Sequence, residues 1–171
     1  MKLSNVDIVH DLLNFPYPFD DKIFDKIYCK HVIEHFVIDD IYKILSECHR
    51  LLASGGELII TVPHSFSVAA YTDPTHKTFF TFNSGKFWDK NHSKAYYFKV
   101  KNNWKLKKIS CRVCWFDWKK RYLIIFDKLL SYLANLRLSK ALLNKNSPSK
   151  ADRLVKKYSF QFVEIKWVFN K

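Results

Sequence analysis

Between residues 24 and 62 the apolar positions change period twice. Phe24, Ile27, Tyr28 and Cys29 give a short buried-strand pattern that turns polar at Lys30 and His31. Over residues 39–52 the apolar side chains fall at Ile41, Ile44, Leu45, Cys48, Leu51 and Leu52, the three-and-four spacing of an amphipathic helix. Asp39 and Asp40 suit the positive end of that helix, and Gly55 predicts its left-handed stop. Residues 58–62 read as a second buried strand, ended by Pro63. Strand, crossover helix and strand of these lengths make one parallel, right-handed βαβ unit.

The flanks follow from the same reading. Residues 6–13, VDIVHDLL, alternate and predict a short strand with Asp11 near its end; residues 14–21, with Pro16 and Pro18, are an extended loop. After Pro63 comes a loop carrying His64 and then Asp73-Pro74-Thr75-His76, on the side where open parallel sheets bind ligands. Phe87 and Trp88 begin a helix or lid. Residues 96–116 read as two basic, aromatic-rich strands around Asn102-Asn103. Over residues 122–144 Tyr122, Ile125, Phe126, Leu129, Leu130, Leu133 and Leu136 lie at helical spacing, and core or lid packing is the default expectation. A polar linker with Ser147-Pro148-Ser149 leads to an alternating strand over residues 160–169, expected to be antiparallel to its neighbours.

Composition narrows the class. At 171 residues, 48% of them apolar and 17% aromatic, the chain fits one domain with a real core and is not disordered overall. The expected division is a βαβ part over residues 1–88 and a basic part over 89–171 with a helical insertion at about 119–145. No run reaches the roughly 18 apolar residues of a membrane span. The opening MKLSNVDIVHD puts charges where a signal peptide is apolar, so a cytoplasmic protein is expected. Cys29 and Cys48 fall in a buried strand and helix, which favours thiols over disulfides. Cys111-x-x-Cys114 is a lone pair in a strand-like run, its side chains on opposite faces, and predicts no metal site.

Charge is unevenly placed. Residues 1–85 carry 7 basic and 11 acidic side chains; residues 86–171 carry 22 and 5. Such a basic half is ordinarily a solvated face. Nucleic acid or an anionic membrane surface is a second, less favoured reading of the interleaved lysines and aromatics.

Pro16-Tyr17-Pro18-Phe19, Phe24-Asp25, Val32-Ile33-Glu34-His35, Ala53-Ser54-Gly55-Gly56 and Thr61-Val62-Pro63, in this order and spacing, resemble the second half of a class I S-adenosylmethionine-dependent methyltransferase domain of the small-molecule type. The resemblance is dense over residues 6–88 and loose over the closing strand. It implies an α/β Rossmann-like methyltransferase sheet, S-adenosylmethionine as cofactor, and methyl transfer to a small-molecule acceptor. It also implies that Asp11 accepts from the adenine amino group, a job suited to an acceptor-only carboxylate, and that Cys29, Lys30 and His31 line the sulfonium end of the cofactor. An Asp-Pro-x-His run followed by aromatics recurs at this point in similar enzymes. His76 is then a candidate general base, since imidazole titrates near neutral pH, with Asp73 to orient it. A turn whose histidine merely bonds backbone fits the run equally well.

Two features sit outside that pattern. His31-Val32-Ile33-Glu34-His35 spells H-x-x-E-H, an inverted zinc-protease motif, but it abuts a strand end, and the resemblance makes the Glu-His pair mainly structural. Gly55, Gly56 and Gly85 are the only glycines, and none precedes the strand carrying Asp11. The resemblance therefore implies a sheet truncated before that strand, without the glycine loop that approaches the cofactor's amino-acid end. Residues 6–13 are expected to slide across and cover the open edge of the strand at residue 27, failing which a partner or a second copy covers it. The alternative function is a non-catalytic remnant that binds an anionic partner through its basic half.

Overall fold

The computed structural model describes residues 6–93, 103–114, 124–143, 152–153 and 162–171. Strand β1 (Phe24–Lys30) leads through a 3-10 turn (Ile33–His35) into helix α1 (Ile38–Leu51) and strand β2 (Leu52–Pro63). A short helix α2 (Val68–Thr72), a second 3-10 turn (Ser84–Trp88), strand β3 (Lys105–Cys114), helix α3 (Ile124–Leu143) and strand β4 (Phe162–Asn170) follow. The four strands form one sheet in the order β1-β2-β4-β3. The α/β class and the parallel unit are as the periodicity predicts: β1 and β2 run parallel, in register from Lys26–Glu57 to Lys30–Thr61. The closing strand β4 is antiparallel to both neighbours, also as expected.

Ile41, Ile44, Leu45, Cys48 and Leu51 of α1 are buried, which is the predicted stripe. The first four share one core with Leu58, Ile60 and Val62 of β2 and with Val163, Ile165, Trp167 and Phe169 of β4. The helix stops earlier than Gly55, at Leu52, whose backbone is already extended. Gly55 does adopt a left-handed φ of 76°, in the first part of β2, where the register with β1 shifts. Gly56 is pinned by space instead: a Cβ there would stand 3.0 Å from the Ala53 carbonyl oxygen.

Residues 6–13 form no strand, which corrects the expectation of one. Val6, Ile8, Val9 and Leu13 are exposed, and the Asp11 carboxylate accepts the Leu13 N–H at 2.9 Å in a local turn. An alternating pattern becomes a strand only where a neighbour takes up its backbone groups. Here the aspartate side chain satisfies them locally instead. β1 therefore ends the sheet, with no strand on its outer edge among the described residues. The loop before it is held by Arg50, which donates to the carbonyls of Tyr17 and Phe19 and pairs with Glu47 and Asp21.

The helix expected over residues 122–144 is α3, but its apolar stripe is not wholly inward: Leu129, Leu133 and Leu136 are exposed. It docks through Ala134 and through Asn135, whose side-chain amide accepts from the N–H of Cys111 and donates to its carbonyl, both at 2.8 Å. The amide thus acts as one residue of an added strand on β3. The first of the two strands expected over residues 96–116 and the linker around Pro148 lie outside the described residues. Among the described residues no helix is long and apolar enough to cross a membrane.

Candidate functional site

β1 and β2, being parallel, finish at the same end of the sheet, at Lys30 and Pro63. The first residue past β1 is His31, with a left-handed φ of 51° while its N–H donates to the Thr61 carbonyl at 2.9 Å. Few non-glycine residues hold such a conformation, so the surroundings must fix it. They do: Nε2 of His31 lies 2.7 Å from Oε1 of Glu164 on β4, and Nδ1 lies 3.3 Å from Oε1 of Glu34. The hydrogen bonds to Glu164 and Glu34 raise the imidazole to about 9, so it is a cation bridging two carboxylates near neutral pH. Burial pushes the Glu164 carboxyl up, but the bond from His31 and the charges of His31, Arg112 and Lys30 outweigh it and leave it low.

Glu34 and His35 lie in the 3-10 turn immediately after, and the loop beyond α2 folds back onto them. Lys77 and Thr78 donate their N–H groups to the Glu34 carbonyl, and the Thr78 hydroxyl donates to the Phe36 carbonyl at 2.7 Å. This backbone clamp sets His76 beside His35, ring centroids 4.8 Å apart. Nδ1 of His76 lies 2.8 Å from the Ala70 carbonyl, which can only accept, so Nδ1 carries the proton. The Thr75 hydroxyl donates to the Asp73 carboxylate at 2.6 Å and so accepts from Nδ1 of His35 at 2.8 Å. In the neutral form of each ring Nε2 is then the nitrogen with the lone pair. The side chain of Glu34 is 1% exposed, and its Oε2 has no hydrogen-bond partner.

The six residues predicted for the site are distributed as follows. Asp11 is exposed, in its turn, with one carboxylate oxygen on the Leu13 N–H. Cys29 faces inward against the core, where burial and the Glu34 charge push its thiol up to about 12. Lys30 is exposed at the end of β1, and His31 is committed to Glu34 and Glu164. His76 and Asp73 lie together, Nε2 to Oδ2 at 4.0 Å, but His76 is oriented by the Ala70 carbonyl and Asp73 acts through Thr75 on His35. Hydrogen bonds from the Thr75 hydroxyl and N–H keep the Asp73 carboxyl low.

Sequence reasoning passed over two polar side chains here, Glu164 and His64. Glu164 lies on a strand whose alternation promised only core, and its pairing with His31 spans 133 residues. His64 is fully buried; its Nδ1 accepts the Phe66 N–H at 3.1 Å, so Nε2 donates to Asp152 at 2.9 Å. Glu34 and His35 were visible in H-x-x-E-H, and the missing signal was the loop that brings His76 to them.

Residues 2–60 match the sequence profile of the methyltransferase domain family. A SAM-dependent methyltransferase from Archaeoglobus fulgidus superposes with a TM-score of 0.53 at 15% identity, over 96% of this chain and 66% of that one. A Bacillus halodurans protein provisionally assigned as a methyltransferase superposes with a TM-score of 0.51 at 18% identity, over 95% and 69%. The chain spans about two thirds of the length of these structures. No curated protein matches it.

Proposed function

We propose that this chain, with methyltransferase-domain sequence over residues 2–60 and a class I S-adenosylmethionine-dependent methyltransferase fold, transfers a methyl group to a small-molecule acceptor. The observation that carries the reading is that the matched stretch, residues 2–60, runs through β1 and α1 into β2, and the clustered polar side chains stand past the carboxyl ends of those strands. S-adenosylmethionine supplies an electrophilic methyl on a sulfonium; positioning of the acceptor does most of the rest.

For the adenine end of that cofactor the reading rests on Asp11. Asp11, exposed and with one carboxylate oxygen on the Leu13 N–H, is the acceptor for the exocyclic amine. Lys30 and His31 stand at the end of β1, where His31, a cation held by Glu34 and Glu164, is a poor neighbour for a sulfonium. These residues do not supply a cradle for the cofactor's amino-acid end, because Gly55 and Gly56 lie within β2, where its register with β1 shifts, and a Cβ on Gly85 would meet the Trp167 ring. For an acceptor hydroxyl, Nε2 of His76 is the base, its tautomer held by Ala70, with Asp73 to stabilise the imidazolium that forms. Tyr71 and Phe79, stacked at 4.8 Å and both exposed, flank His76 in the chain and offer an apolar surface to the acceptor.

The second reading, a non-catalytic binder of an anionic partner, draws on β3, which exposes Lys105, Lys107, Lys108 and Arg112. Isothermal titration with S-adenosylhomocysteine decides between them. Binding tighter than about millimolar, weakened by Asp11→Ala, is expected. No cofactor binding, with salt-steep affinity for nucleic acid or anionic liposomes, would reverse the order of the two readings.

A further inference from the structure

The unused lone pairs beside the rim point to a ligand of their own. A carboxylate oxygen of Glu34 and one ring nitrogen each of His35 and His76 all lie within 4.8 Å of one another. Around a tetrahedral ion with bonds of about 2.0–2.1 Å, donor atoms stand roughly 3.4 Å apart, so modest side-chain rotations would close the set. We infer that Glu34, His35 and His76 form a binding site for a divalent transition-metal ion of the Zn²⁺ class.

Three independent features support it. The first is the tautomers: Nδ1 of each histidine is occupied by an oxygen acceptor, Thr75 Oγ1 for His35 and the Ala70 carbonyl for His76. An oxygen on the far nitrogen is what orients a metal-bound imidazole and strengthens it as a donor. For His35 the chain continues to Asp73, whose carboxylate accepts the hydrogen bond of the Thr75 hydroxyl at 2.6 Å. The second is Glu34. Its Oε2 is buried with no partner, while His31 occupies only Oε1. A buried carboxylate oxygen left unpaired is costly, and a cation would satisfy it. The third is rigidity: Lys77 and Thr78 on Glu34, and Thr78 on Phe36, fix the two segments to each other before any ion binds.

Two imidazoles and one carboxylate are borderline-to-hard donors suited to Zn²⁺, Fe²⁺ or Mn²⁺. Three protein donors leave a coordination position open, as in catalytic rather than structural centres. Under the proposed methyl transfer, and resting on that reading, an oxygen of the acceptor would take that position. With His76 a ligand rather than the base, the ion would ease loss of the acceptor proton to solvent water as the methyl leaves the sulfonium and S-adenosylhomocysteine departs. The metal site itself stands without that reading.

The test is titration of the full chain, stripped with EDTA, with Zn²⁺ alone. One ion per chain at micromolar or tighter affinity is expected, with His35→Ala and His76→Ala each weakening it at least about tenfold. Glu34 is buried, so Glu34→Gln is read with far-UV circular dichroism beside it, and the two histidine variants carry the result if that variant misfolds. A Cys111→Ala/Cys114→Ala variant should bind as before, and the Co²⁺-loaded chain should show no thiolate-to-metal charge-transfer band. Zinc affinity unchanged in both histidine variants, or lost in the cysteine variant, overturns the site. S-adenosylhomocysteine binding is measured separately, so a failure of the metal site leaves the cofactor reading standing, and the reverse.

Discussion

His31 and Glu164, 133 residues apart in the chain, meet at 2.7 Å and tie the exit of β1 to β4 across β2. The pair predicts a pH dependence of stability. The folded imidazole is raised from 6.5 to about 9, so its contribution is complete below 6.5 and is lost as pH rises through about 9. Glu164 is held low, so its contribution is present above its unfolded value of 4.5 and fades as pH falls below it. Thermal midpoints measured across the range should therefore decline from pH 6.5 to 9 in the native chain. His31→Gln should flatten that alkaline decline; an unchanged slope would show that the ion pair carries none of it.

Gly85 has no room for a side chain. A Cβ there would meet ring atoms of Trp167 at 2.7–2.8 Å, and Trp167 is fully buried with its indole N–H on the Phe82 carbonyl. Gly85→Ala should cost about 1–3 kcal/mol by overpacking. Urea unfolding with an unchanged m-value would show it as a lower midpoint.

Arg50 holds the loop that precedes β1 by two backbone carbonyls and two carboxylates. Arg50→Ala should destabilise by roughly 1–3 kcal/mol, since half-buried Glu47 loses its cation. It should also speed limited proteolysis between residues 11 and 23. Arg50→Lys should restore little, because a single ammonium cannot span four separate acceptors in a fixed fork.

Asp152 accepts from His64 Nε2–H, from the Phe82 N–H at 3.3 Å and from the Asn83 amide at 3.1 Å. Asp152→Ala strands the buried imidazole N–H of His64 and should lower stability by about 1–3 kcal/mol. Asp152→Asn, which keeps an acceptor oxygen for His64, should recover part of the loss in the same unfolding measurement.

The local spacing of residues 24–63 was enough to specify β1, α1 and β2 and the parallel sense of the two strands. A period of 3.6 buries one stripe of a helix and a short apolar run between turns buries a strand, and neither depends on distant chain. The alternation of residues 163–169 likewise foretold β4. Residues 6–13 had the same kind of alternation and form no strand, because strand formation needs a partner edge and the turn at Asp11 supplied hydrogen bonds more locally. α3 was legible as a helix but not in its docking, which rests on Ala134 and on Asn135 at an edge of the sheet.

The site divides in the same way. The residue types at Asp11, Lys30, His31, Asp73 and His76 could be picked out one by one, since strand ends and turns announce themselves in sequence. Which groups meet could not. Glu164 reaches His31, Thr75 stands between Asp73 and His35, and His76 comes to Glu34 and His35 only when the loop after α2 is clamped back on the 3-10 turn. Sequence spacing sets which side chains leave a strand on one face. Hydrogen bonds between segments forty and more residues apart decide which of those side chains share a proton or an ion.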